Sequence, residues 1–111
     1  MGYRFLGRNV RVAVGEADLV FESPDARTIV LVEVKARAVT PGDTTRTPER
    51  AITRRKAKKL VAVARSMLRQ NGWHDRPVRI DVVAVEFDAG GKQPVAVRHH
   101  PSAIDAAGRR R

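Results

Sequence analysis

The chain contains no cysteine, which excludes disulfides and thiolate–zinc sites and fits a reducing compartment. It has no apolar run of membrane-spanning length and no signal-peptide pattern, so a cytoplasmic protein with no membrane partner is expected. The three histidines, His74, His99 and His100, lack the spacing of a zinc set. Adjacent residues of a strand point to opposite faces, so all three read as structural or solvated. No glycine-rich phosphate loop, dinucleotide fingerprint or Ser-His-Asp set occurs. No internal repeat is visible.

Acidic residues are the scarcer charge. The 111 residues hold 22 Lys and Arg against 12 Asp and Glu, a formal net charge of +10. That excess favours a polyanionic partner, nucleic acid ahead of an anionic membrane; solubility alone is the plain alternative. The length sets one domain with a real core, over residues 1–100, with a basic tail over 101–111.

Within this basic chain the acidic residues are placed selectively. Glu33-Val34-Lys35 closes the apolar run Ile29-Val30-Leu31-Val32, and Gly15-Glu16-Ala17-Asp18-Leu19-Val20 precedes it. On a strand, Glu33 and Lys35 share a face, as do Glu16 and Asp18. Ser23-Pro24-Asp25-Ala26-Arg27 is rich in turn formers. A four-residue loop at 24–27 sets Ser23 opposite Thr28, Val20 opposite Leu31, Asp18 opposite Glu33 and Glu16 opposite Lys35. In that register all four charges lie on one surface. Opposed like charges destabilise a sheet unless a cation or a proton offsets them. Three carboxylates and an ammonium so arranged form a candidate cation site suited to phosphodiester hydrolysis. The bland alternative is a solvated strand end with a Glu–Lys pair.

The remaining elements follow from pattern. A first strand is expected within Tyr3 to Val14, a second over about Glu16–Glu22 and a third over Thr28–Arg37. A loop from Ala38 to Thr47 follows. A helix begins after Thr47, with Pro48 as first helical residue, or after Thr53 as an alternative cap. It stops at Asn71-Gly72. Further strands are expected over Arg79–Phe87 and Pro94–His99, joined by a turn at 88–91. Residues 101–111 begin as a short helix and end in a frayed Arg109-Arg110-Arg111.

Leu60, Val63, Ala64, Met67 and Leu68 make the core stripe of the helix. Arg54, Arg55, Lys58, Lys59, Arg65 and Arg69 fall elsewhere on it. They are either a wet face or a track for backbone phosphates. Lys56 lies one turn before Leu60, where it either leans toward the carboxylates or snorkels to water. Trp73 reads as a core plug. Asp81 reads as the buried partner of an arginine, with a supporting place near the site as the alternative.

Taken together, the segments Gly2–Arg11, Gly15–Val20, Val32–Arg37, Thr53–Lys56 and Arg79–Val85 resemble the YraN-like bacterial family. That family is similar to the Holliday-junction resolvase branch of the PD-(D/E)XK nuclease superfamily. The resemblance implies an α/β, restriction-endonuclease-like fold: a mixed central sheet with flanking helices. Asp18 matches the second acidic residue of the superfamily, and Glu33 and Lys35 match its Glu-x-Lys. Glu16, Arg37, Lys56 and Asp81 fall on other recurring polar positions. Family members usually carry a helix with a further glutamate ahead of the Gly-Tyr-Arg segment. That helix is expected to be missing here, leaving a sheet face that a second copy of the chain would cover. The implied activity is metal-assisted DNA hydrolysis, on branched or damaged DNA among other forms, with Asp18 and Glu33 holding Mg²⁺ or Mn²⁺. Two further readings stand beside it: a non-catalytic nucleic-acid-binding protein with an incomplete nuclease site, and a small assembly subunit.

Overall fold

A computed structural model describes residues 2–39 and 48–111. The elements run β1 (Arg4–Val12), β2 (Gly15–Glu22), β3 (Ile29–Ala38), a 3₁₀ segment (Pro48–Ala51), α1 (Arg54–Gln70), β4 (Val78–Phe87) and β5 (Pro94–Ile104). The five strands form one sheet in sequence order. β3 and β4 are parallel and the other neighbours antiparallel, so the sheet is mixed and the chain is α/β. The parallel pair needs a crossover, and α1 provides it. It is the one α-helix among the described residues.

β3 is central and buried on both faces. Ile29 and Leu31 join Leu60, Val63, Ala64 and Met67 of α1 in the main core, while Val30 and Val32 are buried on the other face. On that other face Phe5 meets Phe21 edge-on, and Phe5 and Val97 stay more than half exposed. Both helix starts expected from the sequence are used. Pro48 opens the 3₁₀ segment, and the Thr53 hydroxyl caps α1 by accepting the Lys56 N–H at 3.2 Å. Asn71 closes α1, followed by Gly72 at φ +70°. Trp73 packs against the core as expected. Most of the expected loop Ala38–Thr47 lies outside the described residues.

The C-terminal expectation needs correction. β5 continues past His99 to Ile104, and no helix follows it. Ser102 sits at φ +51° and gives its N–H to Asp81, so the strand is kinked but not ended by Pro101. A turn at 105–108 then brings Arg110 back to pair with Ile104. At the end of the sheet where β3 and β4 begin, Arg76 joins two reversals. Its guanidinium bonds Glu22 and the Ala26 carbonyl, each at 2.7 Å, and its ring partner is Trp73 at 5.6 Å. No helix among the described residues is long and apolar enough to cross a membrane.

Candidate functional site

The expected hairpin register holds from Glu22↔Ile29 to Leu19↔Val32, with Ser23 bonded to Thr28 at the turn. Beyond Leu19 the ladder stops. The Asp18 carboxylate takes its place, accepting the Val34 N–H at 2.8 Å. Two local distortions accompany this. Asn9 in β1, between the paired residues Arg8 and Val10, adopts φ +49°. In β2 both Ala17 and Val20 are buried in the main core, although strict alternation would part them. Asp18 therefore acts as a wedge between two strands, and its carboxyl meets that of Glu33.

Glu33 is mostly enclosed, and its Oε2 lies 3.1 Å from the Lys35 Nζ. Burial first, and then the contact with Asp18, push the Glu33 carboxyl above its ordinary range; Lys35 opposes them without cancelling them. The structure thus brings Asp18, Glu33 and Lys35 together.

It does not bring Glu16 to them. The kink at Asp18 turns Glu16 outward, where it pairs with Arg11 at 3.2 Å on an open surface. The expected Glu16–Lys35 pairing is replaced for that reason. Lys56 is likewise exposed, because Ala57 takes the core position at the start of α1. Arg54, Arg55, Lys58, Lys59, Arg65 and Arg69 all lie exposed along α1.

Arg37 opens a network that the sequence did not suggest. It pairs with Glu86 at 3.6 Å, and Glu86 bonds Arg98 at 2.9 Å. Arg98 grips Glu49 through two bonds of 2.7 and 2.9 Å, and His100 reaches Glu49 at 2.9 Å. Arg98, then His100, hold the Glu49 carboxyl far below the carboxylate range against the effect of burial. Alternating charge across β3, β4, β5 and the 3₁₀ segment ties the approach to α1 onto the sheet beside Lys35. Glu49 and Arg98 are 49 residues apart, and no local spacing marks such a pair.

Asp81 is an arginine partner, on the sheet face away from α1. It is 1 % exposed and receives Arg79 twice, at 2.8 and 2.9 Å, together with the Ser102 N–H. Burial raises its carboxyl, but Arg79, the Ser102 N–H and His99 outweigh it and the net shift is downward. His99 and His100 point to opposite faces, one to Asp81 and the other to Glu49, and His74 is exposed. No group of three or more His, Cys, Asp or Glu side chains suited to a metal converges among the described residues.

Comparison with known proteins follows this geometry. A UPF0102 protein of Pelobacter propionicus is 35% identical over 106 residues, covering 96% of this chain and 72% of its own. One of Anaeromyxobacter dehalogenans is 38% identical over 108 residues, covering 97% and 75%. Among solved structures, that of Pyrococcus furiosus SfsA in complex with Ca²⁺ aligns at 14% identity and a TM-score of 0.36. The alignment covers 89% of this chain and 54% of that one. The model of the uncharacterised protein family UPF0102 matches residues 1–85. With the two bacterial relatives spanning nearly its whole length, the chain belongs to that family, the YraN-like one its motifs resemble.

Proposed function

We propose that this chain is a metal-dependent endonuclease that hydrolyses DNA phosphodiester bonds, with branched and damaged DNA among its candidate substrates. The observation carrying this reading is the meeting of the Asp18 and Glu33 carboxyls with the Lys35 ammonium 3.1 Å from Glu33. Two carboxyls crowded on neighbouring strands need a cation or a shared proton to offset them, and a divalent ion would serve that role here. The donors fit Mg²⁺ or Mn²⁺, hard ions that accept one or two carboxylates and keep several waters. Asp18 and Glu33 would hold the ion. When bound, such an ion polarises a phosphoryl oxygen and acidifies a water.

The chain's own groups do the rest. The Val34 amide fixes the direction of Asp18. Lys35 offsets negative charge that develops on the phosphoryl group in the transition state. Arg37 and its network steady the strand that bears Glu33 and Lys35. Glu16 and Lys56, being exposed, act at a distance if at all. Arg54, Arg55, Lys58, Lys59, Arg65 and Arg69 bind backbone phosphates, which gives salt-sensitive affinity with little sequence information.

A second reading, a nucleic-acid-binding protein without catalysis, is favoured by the small number of carboxylates at the site among the described residues. A cleavage screen over single-stranded, duplex and branched DNA with Mn²⁺ decides between them. Cleavage that falls at least about 100-fold in Glu33→Ala and Lys35→Ala supports the nuclease. Binding that survives chelator, with no cleavage in any metal, leaves the second reading. Failure to bind DNA at low salt removes both.

A further inference from the structure

A cavity of about 180 Å³ opens beside the candidate site, between β4, β5 and the C-terminal segment. Ile52, Val82 and Ile104 form its floor, each at most 5 % exposed. The buried Glu49 and the exposed His100 and Arg110 also line it. Arg110 also borders an open groove shared with Arg54 and Arg109. All three arginines are exposed, and Arg109 lies near enough to Asp105 to draw its carboxyl down. The nearby Asp105 already accepts the N–H groups of Ala107 and Arg109.

The arginines of this segment are placed, not frayed. Gly108, at φ +77°, passes so close to α1 that a Cβ there would lie 3.0 Å from the Lys58 Cα. Arg65 donates to the Ala106 carbonyl at 3.4 Å. The segment is thereby laid along the helix, and its cations join those of Arg54 and Lys58.

An apolar floor with exposed guanidinium groups alongside matches two parts of a nucleotide: a flat ring and its phosphate. The position also fits. Val82 is the register partner of both Glu33 and His100. Strands lie about 4.8 Å apart, so His100 stands about 10 Å across the sheet from Glu33. One nucleotide beyond a phosphodiester held at Glu33 reaches that far. A base stacked in a duplex cannot enter the slot; it must first leave the stack, which costs least where it is already unpaired.

We infer that this cavity takes one unstacked nucleobase adjoining the phosphodiester at Asp18 and Glu33, with Arg54, Arg109 and Arg110 on the neighbouring phosphate. The substrate class is then single-stranded or locally unpaired DNA. The inference takes its location from the nuclease reading, but base capture itself does not require cleavage.

The test uses the full chain in chelator with oligonucleotides that carry one 2-aminopurine, either single-stranded or fully paired. The single strand binds about tenfold more tightly than the duplex, and 2-aminopurine emission rises, because a base held on the Ile52, Val82 and Ile104 floor has lost the stacked neighbours that quench it. Ala103→Phe, which fills the slot from β5, removes the rise and about tenfold of the affinity. Arg110→Glu, on the exposed rim, weakens binding without touching the core, and thermal melts verify that both variants fold. Equal affinity for the two forms, or emission that neither substitution changes, overturns the inference. A parallel cleavage assay in Mn²⁺ keeps the two readings apart. A substitution-sensitive emission rise without cleavage removes the nuclease and keeps the slot, whereas cleavage without that rise removes the slot and keeps the nuclease.

Discussion

Replacing Glu33 by Gln removes one of two touching carboxyls while keeping the size and the hydrogen-bonding capacity of the side chain. Two unit charges about 4 Å apart repel by about 4 kcal/mol at an effective dielectric of 20. Lys35, 3.1 Å away on the same carboxyl, returns a comparable attraction. What remains is the burial of a charge, and the raised proton affinity of Glu33 says that this residue of the sum is unfavourable to the ionised form. The variant should therefore be more stable than the parent by about 1 kcal/mol at pH 8, or roughly 4–8 °C in melting temperature for a domain of this size.

The sign has a pH signature. Folded Glu33 holds its proton to higher pH than unfolded Glu33, so stability falls as pH climbs through a window that opens near 4.5 and closes at the folded value. Below the window parent and variant should agree, and above it the variant should lead. Melts followed by circular dichroism in chelator between pH 4 and 8 measure this directly. Mn²⁺ should then invert the order, since an ion at 100 times its dissociation constant stabilises the parent by about 2.7 kcal/mol and the variant by less. A variant less stable than the parent at pH 8 in chelator, or a difference independent of pH, would refute the account of the pair.

Other perturbations address the scaffold and the cationic face. Asp81→Ala leaves Arg79 and the Ser102 N–H without their shared partner and should cost about 3–5 kcal/mol in urea denaturation. Because the Asp81 carboxyl is lowered, that contribution should persist above pH 3.8 and vanish as pH falls through the folded value. Arg54→Ala combined with Arg65→Ala should flatten the log–log salt dependence of DNA affinity by about 1.8, and an unchanged slope would take these side chains off the phosphate track. Thr53→Ala should lower helix and protein stability by about 1 kcal/mol, read as a shift in the thermal midpoint.

Much of the scaffold was legible because it depends on local rules. The β2–β3 register follows from where Pro24 and Asp25 allow a reversal and from the alternation of Val20, Leu31 and their neighbours. Thr53 and Asn71-Gly72 mark the ends of α1 through their own hydrogen bonds and backbone angles. The same alternation misplaced Glu16, since it cannot foresee a carboxylate inserted into the ladder at Asp18. The network from Arg37 to Glu49 was hidden for another reason: its members meet through the β3–β4 crossover, far apart in sequence. The continuation of β5 to Ile104 was hidden because it depends on Asp81, distant in sequence, which accepts the Ser102 N–H just beyond Pro101.

Arg76 has a dynamic consequence. By holding the 24–27 turn to the segment after α1, it makes those two reversals share a fate, so that neither can fray without releasing the other. Amide protons such as those of Ala26 and Arg76, bonded to Ser23 and Trp73, should exchange with similar protection. The pole of the sheet remote from Lys35 is thereby cross-linked through one side chain, and Arg76→Ala should lower the protection of both amides together.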